Sequence, residues 1–297
     1  MYPIKTFLKS TRLPFLILTP VCVLLGVATA VSDQHSIDIH LLLLVLLGAI
    51  AAHVSVNTLN EYHDYHSGLD SKTIKTPFSG GSGALQLQPE MADSVLIVGV
   101  VSLIVTISTG ILLLIEQGLL ILPIGVLGVA IILTYTKWIN RSPLLCLVAP
   151  GLAFGPLMVI GTHVALTGQY SRLAMMLSIV PFFLVNNLLL LNQIPDIQAD
   201  ASVGRQTFPI AYGRKSSAVV YGIFTVGGFA VIPWAVYQAY IPPIVLLALL
   251  PLSMAVAALY GLSRYSDDIN KLIHFMGFNV GAAILTPLIL GGSILIN

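Results

Sequence analysis

The sequence is short of charge and of cysteine. Lysine and arginine together number 13 and aspartate and glutamate 12, so charged residues make up 8% of the 297, against roughly 25% in a soluble globular domain. With 57% of residues hydrophobic, the chain carries more apolar surface than a soluble fold can cover, and a water-soluble globular protein is excluded. The two cysteines, Cys22 and Cys146, lie inside apolar runs and form no C-x-x-C spacing, which reads as small buried hydrophobes rather than metal ligands. No stretch between apolar runs is long enough for a separate globular unit. A single membrane-embedded domain over 1–297 is expected, and no nucleic-acid partner. Nor is a cleavable leader expected, because Lys5, Lys9 and Arg12 precede a run from Leu13 to about Val31 that is long enough to span and lacks a clear small-residue cleavage site.

What is present is long apolar runs. A spanning helix needs about 20 predominantly apolar residues, and such segments fall near 13–32, 39–58, 94–115, 119–136, 144–166, 173–195, 217–239, 242–262 and 272–295. The expected fold is therefore all-α, a polytopic nine-transmembrane-helix bundle in the lipid bilayer. With nine crossings, Lys5, Lys9, Arg12, Lys72, Lys75, Lys137, Arg141, Arg205, Arg214, Lys215, Arg264 and Lys271 share one side and only Arg172 lies on the other. That asymmetry predicts a cytosolic N-terminus and a C-terminus across the membrane, with a multi-pass protein of the inner membrane as the setting. Acidic residues divide less simply: Asp33, Asp38 and Glu116 lie on the poorly charged face, and the other nine join the basic one. Orientation gains little from carboxylates, so the acids on the basic face need another explanation.

Two segment ends supply it. The second segment ends in Asn57-Thr-Leu-Asn60-Glu61-Tyr62-His63-Asp64-Tyr65-His66-Ser67-Gly68-Leu69-Asp70, where Asn57, Asn60 and Asp64 are spaced to share a helix face and Gly68 suits a terminator. The sixth ends in Asn192-Gln193-Ile194-Pro195-Asp196-Ile197-Gln198-Ala199-Asp200, with Asn192, Asp196 and Asp200 at i, i+4, i+8. A solvated helix end would explain either stripe alone. The recurrence of amides and carboxylates at helical spacing at two same-side ends, in a chain with so few acids, points instead to a site. If the bundle joins the stripes, their like charges repel unless a cation lies between them. Hard carboxylate and amide oxygens suit Mg²⁺, which keeps few protein ligands and completes its shell with water and phosphate oxygens.

These two stripes, with the Gly204-Arg205-Gln206-Thr207-Phe208 continuation, resemble the two aspartate-rich motifs of the UbiA superfamily of intramembrane prenyltransferases. The Gly68-x-Asp70 form is most similar to the branch that prenylates 1,4-dihydroxy-2-naphthoate in menaquinone synthesis. The resemblance implies Mg²⁺-dependent transfer of an isoprenyl group from a prenyl diphosphate donor to an aromatic quinone precursor. It implies that Asn60, Asp64, Asp196 and Asp200 are catalytic and hold the metal, with Asp70 the outer acid of the first motif and Asn57 and Asn192 substrate-binding.

The chain departs from that pattern where the branch usually has arginines beside the motif-two aspartates, having Pro195 and Ala201 instead. Lys72, Lys75 and Arg205 are candidate substitutes. The Y-x-x-x-K element after the fourth helix is also altered, with Tyr135, Lys137 and Arg141 its nearest counterparts. The loop Thr76–Gly83 reads as a flexible connection or as a lid with backbone N–H groups for phosphate. His63 and His66 read as hydrogen-bonding or solvated, His53 as an interior histidine in reach of an acceptor hydroxyl, and Gly151-x-x-x-Gly155 as a packing motif. Two rival readings are a terpene cyclase, which would capture the cation intramolecularly, and a transporter with intramembrane carboxylates. The acids lie at helix ends on one face, which favours the enzyme.

Overall fold

In lipid every backbone N–H and C=O has to be satisfied within its own segment, so apolar runs of this length form helices. The computed structural model describes residues 3–297, and no strand occurs among them. The helices are α1 (Pro3–Ser10), α2 (Leu18–Ser32), α3 (Ile39–His66), α4 (Ala84–Leu87), α5 (Ala92–Gln117), α6 (Leu122–Thr134), α7 (Pro143–Leu152), α8 (Gly161–Thr167), α9 (Arg172–Asn192), α10 (Ile197–Ser202), α11 (Phe208–Tyr237), α12 (Leu252–Tyr265) and α13 (Ile269–Leu295). A π-helical stretch, Ala153–Ile160, joins α7 to α8, and Pro156 within it can donate no backbone hydrogen bond.

Eight helical segments are long and apolar enough to cross a membrane: Leu13–Ser32, Ile39–His66, Pro89–Gln117, Pro143–Thr167, Arg172–Asn192, Phe208–Tyr237, Pro243–Tyr265 and Ile269–Leu295. The protein is an integral membrane helical bundle. The segment expected at 119–136 is a shorter apolar helix, Leu119–Thr134, which rises about 24 Å where the hydrocarbon core is about 30 Å thick. Gly118, at φ 81°, ψ −172°, breaks it from α5, and after Thr134 the helix gives way to a turn over residues 135–138 and a 3-10 helix at Ile139–Arg141.

Helix α9 runs through the centre, with Leu177, Val180, Leu184, Val185 and Leu188 buried against α2, α11 and α13. Its polar residues stitch the bundle together. Asn187 Nδ2 donates to the Tyr221 carbonyl and to Thr225 Oγ1, each at 3.0 Å, Asn279 Nδ2 donates to the Asn187 carbonyl at 3.0 Å, and Tyr221 donates to Asn279 Oδ1 at 2.8 Å. Asn186 Oδ1 accepts from the Gly151 N–H at 2.6 Å. A Cβ on Gly151 would stand 2.0 Å from the Phe182 carbonyl and one on Gly155 2.5 Å from that of Ser178, so α7 and its π-helical continuation lie directly against α9.

Two local features position the site. Helix α3 continues past the expected 58 to His66, carrying the whole first stripe, and stops where Gly68 takes φ 71°. The second stripe does not share one helix face as its spacing suggested. Helix α9 ends at Asn192, residues 193–196 form a turn, and α10 starts at Ile197. Pro195 explains the break, since it disfavours helical geometry in the residue before it and lacks an N–H.

Candidate active site

Both stripes open into one cavity of about 380 Å³, whose wall includes Asn57, Asn60, Asp64, Asp70, Asn192, Asp196, Asp200, Arg205 and Tyr135. Seven acidic or amide side chains from segments far apart in sequence are thus brought together at one end of the bundle. One cation between them is a side chain. Arg205, turned back by Gly204 at φ 81°, pairs through Nη2 with Asp64 Oδ1 and through Nη1 with Asp200 Oδ1 at 3.0 Å. The guanidinium fork suits two carboxylates at once. Burial works against that charge, but Asp64 and Asp200 outweigh it and hold Arg205 protonated above its ordinary value.

The acids at the mouth differ in how they are satisfied. Burial, reinforced by the neighbouring charge of Asp200, pushes Asp196 up to about 7. Asp196 Oδ2 accepts from the Gly80 N–H at 3.0 Å, while its Oδ1 is buried without a hydrogen-bond partner. Asp70 Oδ2, Asn192 Oδ1 and Gln193 Oε1 are likewise buried and unpartnered. Burial raises Asp70 and Asp200 above the usual carboxylate range, Arg205 pulling Asp200 part of the way back. A set of buried acceptors without donors is what a hard cation or a donor-rich ligand satisfies. Among the described residues no three His, Cys, Asp or Glu side chains are grouped so as to hold a metal ion by themselves.

The glycine-rich loop is tied down. Ser82 donates from N at 3.2 Å and from Oγ to Glu61, a fully buried carboxylate of α3, and Thr73 Oγ1 donates to the Gly80 carbonyl at 3.0 Å. With Gly80 held by Asp196, the loop links both motifs across the cavity mouth. Gly81 has φ 74°, and a Cβ there would lie 2.3 Å from Asp70 Oδ1.

The basic candidates separate. Arg205 is in the wall, whereas Lys72 donates to Ser202 at 3.3 Å and Lys75 to Gln86 at 3.0 Å, both outside it. Lys137 and Arg141 are exposed and also outside the wall. The sequence reading missed Arg12, counted there only as an orienting charge. Arg12 sits in the left-handed region at φ 52°, lines the cavity, and has no carboxylate within 4 Å among the described residues. Asn57 steadies it by donating to the Thr11 carbonyl at 2.9 Å. His53 also lines the cavity, its Nδ1 2.8 Å from Thr19 Oγ1 and its ring edge-on to Phe154 at 4.9 Å.

Beyond the polar end the wall is apolar, reaching Val45, Leu113, Ile121, Ala165 and Met158. A polar mouth rich in acceptors above an apolar interior suits an amphiphile with an anionic head bound through a cation.

Comparison with known proteins gives the family and the fold. The 1,4-dihydroxy-2-naphthoate octaprenyltransferase of Bacillus subtilis (strain 168) is 26% identical over 204 residues, covering 67% of this chain and 63% of the relative, so less than two thirds of the relative's length is matched. A UbiA homolog from Aeropyrum pernix K1 superposes with a TM-score of 0.70 at 18% identity, covering 95% of this chain and 98% of that one. A UbiA homolog from Archaeoglobus fulgidus bound to DMAPP and Mg²⁺ superposes with a TM-score of 0.65 at 14% identity, covering 96% and 99%. The profile of the UbiA prenyltransferase family matches residues 19–280, and the chain belongs to that family.

Proposed function

We propose that this protein transfers an isoprenyl group from a prenyl diphosphate to an aromatic quinone precursor, of the 1,4-dihydroxy-2-naphthoate type, with Mg²⁺ as cofactor. The observation that carries the reading is the convergence of Asp64, Asp70, Asp196 and Asp200 on the polar end of a cavity whose remaining wall is apolar. The unpartnered oxygens of Asp70, Asn192 and Asp196 fit the metal's chemistry. Asn60, Asp64, Asp196 and Asp200 would hold it, and bound Mg²⁺ supplies Lewis-acid neutralisation of the departing diphosphate.

The chain's own residues do the rest. Arg12 and Arg205 are the guanidinium groups in the wall, and they take diphosphate oxygens in place of the motif-two arginines that Pro195 and Ala201 replace. Lys72, Lys75, Lys137 and Arg141 stand outside and act through the local field that draws an anionic head to the mouth. The loop at 79–83 closes over the head and offers backbone N–H groups. Breaking the donor's C1–O bond leaves the electron pair on the diphosphate, and the apolar interior keeps water from the allylic carbon until an aromatic carbon attacks it; that carbon then sheds its proton, or its carboxyl group as CO2, and the ring regains aromaticity. His53 and Phe154 form the aromatic side of the wall, with Tyr135, whose phenol burial holds protonated, as a hydrogen-bond donor. The basic asymmetry supports nine crossings, counting Leu119–Thr134, in one unit over 1–297 of the inner membrane, with the site on the cytosolic side.

The test is diphosphate release by purified protein given Mg²⁺, a prenyl diphosphate and a panel of aromatic acceptors. Asp64→Asn and Asp196→Asn should each nearly abolish it, and the double variant should be little worse than either, because groups that act as a unit are non-additive. Full release in chelator, or multiplicative losses in the two variants, would sink the mechanism.

A further inference from the structure

The two faces of α1 differ. Thr6 and Ser10 are fully buried on one of them, and Phe7 packs with Tyr62 and Tyr65 of α3 against the cluster of Leu85, Ala92 and Val95. Thr6 Oγ1 donates to Gln88 Oε1, just past the end of α4. Lys5, Leu8 and Lys9 are spaced i, i+3 and i+4 and share the opposite face, where all three are exposed, Leu8 by 47%. Neither lysine has a carboxylate within 4 Å among the described residues, whereas Arg214 pairs with Asp267 and Lys271 with Asp268.

That face belongs at the bilayer surface. The first crossing segment begins at Leu13, and the left-handed turn at Arg12, φ 52°, ψ 50°, stops α1 from continuing it, so α1 packs instead beside α4 and the end of α3. Exposed apolar side chains carry on from Leu8 into the span with Leu13 and Ile17, 51% and 46% exposed. Lysines beside such surface lay their stems along it and set their ammonium groups among the lipid headgroups. Two unpaired cations one helical turn apart complement anionic headgroups, which attract basic residues next to a membrane span.

We propose that α1 docks on anionic phospholipid headgroups through Lys5 and Lys9, with Leu8 between them set into the acyl boundary. Docking holds α1 against α4, which begins immediately after the loop at 79–83, and steadies the turn that places Arg12 in the cavity wall. The charge of the surrounding lipid is thereby coupled to the order of the cavity mouth. This inference does not depend on the prenyl-transfer reading, and its test uses no substrate.

The experiment follows hydrogen exchange of the full chain in nanodiscs of phosphatidylcholine, with and without phosphatidylglycerol. In the wild type phosphatidylglycerol should slow exchange of the amides from Phe7 to Arg12 by about tenfold or more. High salt, which screens the headgroups without altering the chain, should erase that protection. Lys5→Gln/Lys9→Gln should exchange like the wild type in phosphatidylcholine and gain no protection from phosphatidylglycerol, whereas Lys5→Arg/Lys9→Arg should keep the response. Lys215→Gln/Arg264→Gln removes as much charge from exposed residues away from α1 and should respond like the wild type. Inorganic phosphate added to phosphatidylcholine discs should protect nothing. No response of the wild type to phosphatidylglycerol, a response that survives high salt or the glutamine pair, or equal protection by free phosphate overturns the proposal.

Discussion

Replacing Arg205 with methionine keeps much of the side chain's volume and removes its charge. The Arg205 side chain is 15% exposed, and the two carboxylates it joins, Asp64 and Asp200, are 7% and 5% exposed. At that burial a stranded partner is not rescued by water, and removing one member of such a set costs about 3–5 kcal/mol, a large share of the roughly 5–15 kcal/mol that holds a domain folded. Arg205→Lys should lose less than methionine but still lose, since an ammonium has no fork to span both oxygens. Adding Asp64→Asn and Asp200→Asn to Arg205→Met should restore most of the loss, a coupling that only groups in one network show. Burial raises Asp200 and Arg205 draws it back, so without the arginine Asp200 stays protonated at low pH. The Arg205→Met loss should therefore grow as pH rises. The assay is unfolding in mixed micelles titrated with dodecyl sulfate, in chelator. A loss under about 1 kcal/mol, the scale of an exposed ion pair, or a triple variant no better than the single one, would refute the reasoning.

Two further outcomes follow from the mouth of the cavity. Asp196, at about 7 in the folded protein against about 3.9 unfolded, binds its proton more tightly when folded. Its contribution is fully present below about pH 4 and is lost as pH climbs through 7; Asp196→Asn should flatten stability over that window in chelator, and an unchanged slope would exclude Asp196 as its source. Gly81→Ala has to hold φ 74° and displace Asp70, 2.3 Å from the new Cβ, whereas Gly68→Ala at φ 71° meets nothing. Both should pay about 1–2 kcal/mol of left-handed strain, but only Gly81→Ala should weaken donor binding and speed hydrogen exchange at residues 79–83.

Much of this was legible in the chain order. Apolar runs long enough to span dictate helices because lipid offers backbone groups no partner, and the first stripe appears as its spacing implied because α3 is unbroken to His66. Pro195 was in view, yet the i, i+4, i+8 pattern of Asn192, Asp196 and Asp200 still suggested one helix face. The pattern survives as a shared cavity wall only because the turn at 193–196 and the start of α10 carry both aspartates back to it.

The sequence by itself determined the solvent, the helical class and the two acidic motifs, since these depend on composition and local spacing. Only the tertiary structure decided which charges meet. Lys72, Lys75 and Arg205 are equivalent cations in a string of letters, but only Arg205 reaches Asp64, 141 residues away in sequence. Arg12, an orienting charge by position, lies in the cavity wall. Gly151 is one glycine among 25 in the chain, set apart only by the Phe182 carbonyl 2.0 Å from where its Cβ would stand. Contacts between distant segments follow from how whole helices pack, and spacing along one segment carries no information about its neighbour.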